Sequence, residues 1–460
     1  MRSPFFCRRR QRDISAHQYL RFMIRFALPL WLLLSVALPL DMLGQGDLSL
    51  ASGPMIGHVS MRSAQLWIQT RDADSLFVKY KVQGEDDWTL TPAQTSSRDD
   101  AYAVHVALDN LEPGTTYDVV FVVGGEPLSE GLELRTQVLW DYRMDPPPFS
   151  FVTGSCAYIN EAEYDRPGKP YGGGYEIFES MAAEAPDMML WLGDNIYLRE
   201  VDFQSYSGFL HRYSHTRQTP EMTGLLKACP NYAIWDDHDF GPNDSDGSWI
   251  HADWSRQAFE TFWSNPSYGL PASPRCVSTA FRFVDMEFFL LDNRTYRVNH
   301  QNKTNEPQVL GQAQIDWLIQ ALSKSRAPYK FVCIGGQVLN DAAVYENVSQ
   351  FPSEREEILA RLSDEDIRGV VFLSGDRHTT ELSELQLPNG RKVYDLTVSP
   401  LTSGPGHARE EGNSLRVEGT YVEQRNYAKL SFGGPRKDRS CTIEVKDTFG
   451  ETLWTQTLGE

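Results

Sequence analysis

Basic residues are scarce in this 460-residue chain. It carries 43 lysines and arginines against 62 aspartates and glutamates, a formal net charge of −19 at pH 7. A surface this acidic repels nucleic-acid backbones and anionic lipid, so we expect no surface for non-specific binding to either. An anionic substrate would need a local source of positive charge, such as a metal ion or a buried arginine.

Long apolar runs are also lacking, apart from FALPLWLLLSVALPL at residues 26–40. Residues 1–45 carry seven basic and two acidic residues, and small and polar residues follow the apolar run. This pattern is typical of a secretory signal, whereas a membrane anchor needs about 20 apolar residues. We expect cleavage near Gly44 or Gln45 and an exported mature chain, periplasmic, cell-surface or secreted, with no membrane span. A retained anchor is the alternative, and the oligomeric state stays open.

Cysteines are few: six in all, of which Cys7 leaves with the signal. The five that remain are an odd number, so at least one thiol lies outside any intrachain disulfide. A free cysteine is most often buried and inert, and a metal thiolate is the alternative. Cys229 and Cys276 could pair in an oxidising compartment.

Residues 47–138 have the pattern of a small β-sandwich. Short strand-like runs recur, separated by clusters of glycine, aspartate, serine and proline. They lie at residues 63–70, 76–82, 101–108 and 116–123. The run LDNLEPGTTY, ending at Tyr117, resembles the tyrosine corner of fibronectin-type and immunoglobulin-like sandwiches. We expect a structural or docking domain, followed by a stiff proline-rich linker at residues 139–149.

From residue 150 onward, short apolar strands alternate with helical patterns, which predicts a layered α/β domain over residues 150–460. The predicted strands lie at residues 149–155, 187–194, 231–237, 329–336 and 368–376, with a hairpin over 281–292 and helices over 173–185 and 311–325. Residues 385–460 return to short strands, which either complete the sheet of this domain or form an added lobe.

Side chains of metal-ligand type follow four of these strands. The strand ends read Gly154-Ser155-Cys156, Gly193-Asp194-Asn195-Ile196-Tyr197, Trp235-Asp236-Asp237-His238-Asp239 and Ser374-Gly375-Asp376-Arg377-His378. Ligands of open α/β sheets bind at the carboxyl ends of the strands. One such cluster could be helix caps and turns, but four in order favour a metal site.

The mixture of side chains limits the metals. Thiolate and phenolate beside imidazole and carboxylate suit iron or zinc, whereas an oxygen-rich site suits calcium, magnesium or manganese. Two cations that share a carboxylate can clamp a phosphoryl group and generate a hydroxide nucleophile. The motifs pair no serine or cysteine with an activating histidine, so we expect metal-bound hydroxide as the nucleophile.

The ordered motifs GSC, GDNIY, WDDHDFGPND, LDNRTYR, SGDRH and VSPLTSG resemble the alkaline phosphatase D (PhoD-like) family of metallophosphoesterases. The resemblance covers about residues 150–405, and the β-sandwich is similar to the amino-terminal domain of that family. It implies a calcineurin-like αββα fold and a multi-metal site that hydrolyses phosphomonoesters or phosphodiesters, with a preference and natural substrate that the sequence does not define.

The same resemblance implies roles for individual residues. An iron-type metal, as the ferric ion, would be held by Cys156, Asp194, Tyr197 and His378, with Asp194 bridging to a second site. That site, of calcium type, with zinc, manganese or magnesium as alternatives, would use Asp237, Asn243 and Asp376. His238 would face the phosphate, and Asn195 and Arg294 would orient substrate oxygens. The sequence DFGPND leaves Asp239 and Asp244 open as alternatives to Asn243.

Two further groups are interpreted as structural. His211 and His215 lie four apart on a predicted helix without a motif carboxylate, which favours surface or packing roles. Glu354, Glu356 and Glu357 are interpreted as a solvated helix start capped by Ser353. The rival functions are a catalytically silent surface-binding protein on the same fold and a hydrolase of another ester, such as a sulfate.

Overall fold

A computed structural model of the protein describes residues 50–459. These residues lie within one compact unit, Gly46–Glu460. The predicted signal peptide, residues 1–45, lies outside the described residues. Between residues 50 and 459 no helix has the length and apolar character that crossing a bilayer requires.

The first part of the described chain is a β-sandwich of two antiparallel sheets. Its strands are β1 (Leu50–Val59), β2 (Ser63–Thr70), β3 (Ser75–Val82), β4 (Thr89–Leu90), β5 (Gln94–Thr95), β6 (Ala103–Asp109), β7 (Thr116–Val123), β8 (Glu126–Pro127) and β9 (Leu132–Arg135). One sheet has the order β1-β2-β6 and the other β4-β3-β7-β8, with β5 beside β3 and β9 beside β7. Alternate side chains of both sheets form one apolar core. The hydroxyl of Tyr117 accepts a 2.7 Å hydrogen bond from the backbone N–H of Glu112, as a tyrosine corner requires.

The sandwich is packed against the following domain. The indole of Trp67 donates a 2.9 Å hydrogen bond to the carbonyl of Thr261, and the Nδ1 of His105 lies 2.8 Å from the hydroxyl of Ser264. Trp67 also belongs to an apolar cluster that continues into the second domain. Trp140 of the connecting segment is buried beneath the guanidinium of Arg282.

The second domain contains twelve strands and seven α-helices among its described residues. They are β10 (Phe149–Gly154), α1 (Glu176–Ala183), β11 (Met188–Leu192), α2 (Tyr206–Arg217), α3 (Pro220–Ala228), β12 (Asn231–Ile234), α4 (Asp237–Phe240), α5 (Ala252–Phe262), β13 (Thr279–Phe283), β14 (Met286–Leu290), α6 (Gln312–Lys324), β15 (Lys330–Cys333), α7 (Pro352–Asp364), β16 (Val370–Ser374), β17 (Glu381–Gln386), β18 (Lys392–Thr397), β19 (Asn426–Gly433), β20 (Ser440–Asp447) and β21 (Thr452–Leu458).

These elements form four layers, which confirms the predicted αββα fold. The sheets have the orders β12-β11-β10-β19-β20-β21 and β13-β14-β15-β16-β18-β17. Between them lies an aromatic core, in which the ring centroid of Phe151 is 5.5 Å from that of Phe288 and 5.4 Å from that of Phe331. Helices α1, α2, α3 and α5 cover the outer face of the first sheet, and α6 and α7 cover that of the second. Buried on both faces, the central strands are the apolar runs seen in the sequence.

The carboxyl-terminal stretch resolves the alternative left open by the sequence. Strands β17 and β18 extend the second sheet, and β19, β20 and β21 extend the first. Strand β19 runs antiparallel beside β10 along most of that strand, from Phe149 opposite Phe432 to Thr153 opposite Ala428. The stretch is therefore part of both sheets rather than an added lobe.

Two sequence interpretations are wrong. Cys229 and Cys276 are both free and buried, as are the other three cysteines of the described chain. Helix α7 begins at Pro352 without a serine cap, and its Glu354 is buried. That carboxylate accepts hydrogen bonds of 2.7–2.9 Å from three consecutive backbone N–H groups, residues 309–311, and so closes the loop before α6.

Candidate metal centre

The four strand ends meet at one edge of the layered domain. Strands β10, β11 and β12 are parallel neighbours, so the residues after them project from the same edge of the first sheet. Strand β16 ends at the same edge of the second sheet, and Gly375 of its terminal loop is so close to Ser155 that a Cβ would lie 2.6 Å from the serine Cβ. The edge at which parallel strands end is thus where both sheets contribute side chains.

Tight backbone geometry places these side chains. Cys156, Asp194, Asp376 and His378 all have positive φ angles, between 50° and 63°. Residues other than glycine rarely adopt this left-handed region, and it costs about 1–3 kcal/mol each. Gly335 allows the loop after β15 to approach, because a Cβ there would lie 2.4 Å from Oδ2 of Asp236. Such strain is concentrated at functional sites.

The first group of potential ligands is Cys156, Asp194, Tyr197 and His378. The ligand atoms of Cys156, Asp194 and His378 lie within 4.8 Å of one another. The hydroxyl of Tyr197 donates to Oδ2 of Asp194 at 3.1 Å and lies 3.2 Å from Nε2 of His378. The Sγ of Cys156 is 3.5 Å from the same Oδ2. Thiol, phenol, imidazole and carboxylate therefore converge on one point.

Adjoining groups of carboxylates continue the cluster. Each of three further sets has its ligand atoms within 4.8 Å of one another: Asp194, Asp237 and His238; Asp236, Asp237 and Asp376; and Asp237, Asp244 and Glu346. Asp194 and Asp237 each belong to more than one set. Shared carboxylates are the arrangement in which one side chain bridges two cations.

The electrostatics of the cluster indicate missing positive charge. Burial and then the carboxylate of Asp237 hold the pKa of Asp194 well above its usual range. Burial and then Asp236 do the same to the pKa of Asp376. Burial also opposes ionisation of Asp237, but His238 and Arg294 outweigh it and lower its pKa. Carboxylates crowded in a buried site become stable as anions when cations bind between them.

Unpartnered atoms provide a separate test of whether metals fit. At this edge, four buried side-chain oxygens of the described chain have no hydrogen-bond or ion-pair partner: Oδ1 of Asn195, Oδ2 of Asp236, Oδ1 of Asp237 and Oδ1 of Asn293. Buried polar atoms are nearly always paired, so four orphans at one edge need an explanation. All four are acceptors of the type that binds hard cations, and the thiol and phenol beside them suit a softer metal. The residues fit a multi-metal site.

The remaining predicted residues lie near the cluster but differ in accessibility. The backbone N–H of His238 donates to Asp194 at 3.2 Å, and its ring lies 4.2 Å from the ring of Tyr197. Asn243 is exposed and lines the same cleft, beside Asp244. Asp239 is turned into the protein, where its carboxylate accepts from the backbone N–H groups of Asp236 and Asn195. Of the two alternatives to Asn243, only Asp244 faces the cleft.

Arg294 and Asn195 are held by the protein itself. The guanidinium of Arg294 is buried, and it contacts Asp236, Glu346 and the carbonyl of Ser245. The amide Nδ2 of Asn195 donates to the carbonyl of Ile234 at 2.8 Å. The geometry places Arg294 behind the carboxylates that would hold a metal rather than in contact with the cleft.

Four residues of the site were missed from the sequence. Asp236 and Asn293 lie within the motifs WDDHD and LDNRTYR, so their neighbours pointed to them. Glu346 and Tyr171 follow no strand of apolar pattern. The Tyr171 hydroxyl lies 3.0 Å from Nδ1 of His378, a contact that only the folded chain creates.

His211 and His215 lie on α2, away from this cluster. Nε2 of His211 is 3.0 Å from Glu161, and Nε2 of His215 is 3.1 Å from the carbonyl of Asn160. Both contacts are within the protein and agree with packing roles.

Comparisons with known proteins agree with this geometry. A family model described as PhoD-like phosphatase matches residues 151–439, and a model described as a domain of unknown function, DUF7800, matches residues 47–129. Alkaline phosphatase D of Bacillus subtilis (strain 168) is 23% identical over 369 residues, covering 69% of this chain; the chain spans 61% of the length of that relative.

Two solved structures share the fold. The structure of PhoD matches 90% of this chain and 93% of its own, with a TM-score of 0.72 at 17% identity. The purple acid phosphatase PPD1 of yellow lupin (Lupinus luteus) matches 88% of this chain and 73% of its own, with a TM-score of 0.66 at 12% identity.

Proposed function

This chain belongs to the PhoD-like phosphatase family, and on that premise we propose that it is a metal-dependent phosphoric ester hydrolase. The observation that carries the proposal is the convergence of four strand ends on buried acceptor atoms without partners. A catalytically silent relative would be expected to have lost some of these side chains. Here each strand end retains them, which favours an enzyme over a surface-binding protein.

The residues divide between two kinds of metal position. Cys156, Asp194, Tyr197 and His378 would hold an iron-type cation, and Asp237 and Asp376, with Asn243 or Asp244, would hold a calcium-type cation. Bound there, the cations would supply Lewis acidity toward a phosphoryl oxygen and activate water as the nucleophile. Arg294 is a positioning residue, because its guanidinium fixes the carboxylate of Asp236.

His238 is the candidate for direct contact with substrate. Its ring nitrogens have no hydrogen-bond partner among the described residues, whereas its backbone is fixed to Asp194. Its ring packs against that of Tyr197, with the two ring planes tilted by 33°, beside the carboxylate cluster. The imidazole is therefore placed to donate a hydrogen bond or a proton to a phosphoryl or leaving-group oxygen.

One serine needs separate consideration as a nucleophile. The hydroxyl of Ser403 lies 3.3 Å from Nε2 of His378, a pairing that the motifs did not reveal. The same Nε2 is also 3.2 Å from Tyr197, within the group proposed to bind metal. We therefore assign Ser403 to the support of His378. Hydrolysis in ¹⁸O-labelled water should transfer the label to phosphate. The Ser403→Ala variant should incorporate as much label per phosphate released as the parent does. A phosphoserine trapped by acid quench would contradict the assignment.

We also propose that the protein is exported. The basic start and the short apolar run of residues 26–40 support a secretory signal. Mass spectrometry of protein recovered from outside the cytoplasm should find an amino terminus near residue 45.

The test of the proposed function is a side-by-side rate measurement on aryl phosphate, aryl phosphodiester and aryl sulfate, with elemental analysis of the same preparation. Phosphate or phosphodiester turnover that chelator abolishes and metals restore is expected. Preferred sulfate turnover, or activity unaffected by loss of all metal, would overturn the proposal.

Metal identity has its own readout. Thiolate or phenolate bound to ferric iron absorbs visible light, whereas zinc, with a filled d shell, does not. Tyr197→Phe should shift or weaken the band, and Cys156→Ala should lower iron content. A colourless, active zinc protein would contradict iron and leave the hydrolase assignment intact.

A further inference from the structure

The edge of the second sheet opposite the metal centre is unusually basic. The parallel strands β15, β16 and β18 begin there with Lys330, Val370 and Lys392. Two adjoining hollows, which share Pro328 and Arg436, lie over these strand starts. Nine basic and three acidic side chains line the two hollows. In a chain of net charge −19 this is a local reversal of sign.

Internal ion pairs do not use up this charge. Arg282 pairs with Asp141 at 3.0 Å, and Arg439 pairs with Asp285 at 2.9 Å. Four exposed cations of the region have no carboxylate partner within the described chain: Lys324, Arg326, Arg436 and Lys437. Their charge therefore faces solvent.

Exposed apolar side chains lie in the segment that contacts Arg436, one of these cations. Tyr142 is 86% exposed, Met144 60% and Leu139 37%, all within six residues of the segment that joins the two domains. The guanidinium of Arg436 lies 5.8 Å from the centre of the Tyr142 ring. We call Lys324, Arg326, Arg436 and Lys437, together with Leu139, Tyr142 and Met144, the basic edge patch.

We propose that the basic edge patch docks the protein peripherally on an anionic lipid bilayer. Lysine and arginine bind the anionic headgroups, and tyrosine, methionine and leucine enter the boundary between headgroups and acyl chains. A soluble polyanion would be bound by the cations alone and gives no reason for three exposed apolar side chains beside them. The combination of both classes identifies the bilayer as the partner.

The negative charge of the whole molecule does not prevent this docking. At physiological ionic strength charges beyond about 8–10 Å are screened, so the lipid surface responds to the side chains nearest to it. The strands between the two edges have four to six residues, which separates the patch from the metal centre by about 13–20 Å. Docking through this edge therefore leaves the metal centre facing away from the bilayer and open to substrate.

The test is co-sedimentation of the mature chain, residues 46–460, with vesicles of phosphatidylcholine, with and without phosphatidylglycerol. The parent should bind the anionic vesicles, and the double variant Arg326→Glu/Lys437→Glu should bind them at least about 25-fold more weakly, since each basic group near an anionic surface strengthens binding about fivefold. The matched control Arg71→Glu/Lys303→Glu changes two exposed cations elsewhere by the same charge and should bind like the parent.

A second pair of measurements separates lipid from other anions. Tyr142→Ser/Met144→Ser should weaken binding to anionic vesicles severalfold while leaving any retention on inorganic polyphosphate unchanged. Equal unfolding midpoints of parent and variants would show that folding is intact. Undiminished vesicle binding by the Arg326/Lys437 variant would place the membrane contact outside the basic edge patch and overturn the proposal. Charge dependence without any effect of the serine substitutions would assign the patch to a soluble polyanion instead.

Discussion

The αββα layers have a carboxyl edge, where the parallel strands end, and an amino edge, where those strands begin. The two edges carry opposite charge, which is buried at the carboxyl edge and exposed or paired at the amino edge. At the carboxyl edge, Asp194 and Asp376 crowd together in the interior with raised pKa values, because burial and neighbouring carboxylates oppose their ionisation. At the amino edge, cations such as Arg326 and Lys437 are exposed, and others are paired, as Arg391 is with Asp366 at 2.8 Å. Buried acceptors without partners suit small cations, whereas exposed cations can be matched by an extended anionic surface. The difference teaches that opposite edges of the same sheets suit partners of different size, single ions at one edge and an extended surface at the other.

The largest expected effect comes from removing one carboxylate at each edge. Asp194→Asn should lower phosphoesterase turnover by about 10³-fold or more, because Lewis-acid stabilisation by metal is worth several kcal/mol. Asp366→Asn removes an equally charged side chain at the amino edge, where only ion pairs with arginines are lost. Steady-state kinetics and metal analysis should find the turnover and metal content of Asp366→Asn equal to those of the parent. Equal losses in both variants would mean that the edges are not functionally distinct.

A smaller effect is expected within the carboxyl edge itself. His238→Ala should cut turnover by roughly 10²–10⁴-fold, the usual contribution of a positioned acid or base, with metal content nearly unchanged. The control is His211→Ala on α2, where the imidazole contacts Glu161 and no part of the cluster. If His238→Ala lost stability but kept its turnover per folded molecule, the ring would be packing only.

The third prediction is that one substitution stabilises the metal-free protein and destabilises the metal-bound protein. Asp376→Asn should raise the unfolding midpoint of metal-free protein at pH 7, because it removes a carboxyl whose pKa is raised by burial and by Asp236 and Asp237 and which therefore opposes folding at this pH. For a domain of this size each kcal/mol relieved corresponds to roughly 2–4 °C. With metal bound the same substitution should be destabilising, since the carboxylate is then paired. Calorimetry with and without chelator measures both signs, and a destabilised metal-free variant would contradict the crowding argument.

The smallest effect is a pH dependence at the amino edge. Burial lowers the pKa of Lys330 to about 8, while its ammonium donates to the carbonyls of Ala327 and Arg368. Between about pH 8 and the unfolded value of 10.5, the unfolded chain binds the additional proton, so this group makes stability rise with pH. Lys330→Met should flatten that part of the stability curve measured by denaturant unfolding. An unchanged slope would show that Lys330 titrates normally.

The fold was largely predictable because its signals are local. Apolar runs bounded by glycine and aspartate located the central strands within a few residues, and the alternation with helices predicted the layers. Strand β1 was missed, since LASGPMIGHV combines glycine and proline with only partial alternation. The place of β19 beside β10 was unpredictable, because pairing across nearly 280 residues leaves no local pattern.

The candidate site was predictable where ligands follow strands. Cys156, Asp194 and His378 were named from strand ends, and the structure brings their ligand atoms together; their binding of metal remains a prediction. Glu346 enters from a loop after β15, and its contact with Arg294 depends on tertiary packing. Arg294 lies in a sequence motif and was predicted to orient substrate oxygens. In the structure its guanidinium contacts carboxylates of the protein, which the motif alone did not reveal.

The pairing of β10 with β19 also sets the order in which this protein can mature. Cys156 follows β10, and its thiol accepts a hydrogen bond from Ser399, so both partners of that region are synthesised long after the cysteine itself. Until residues 426–433 leave the ribosome, β10 has an unpaired edge that can pair with other chains. The candidate metal centre can therefore be completed only after residues 426–433 have been synthesised.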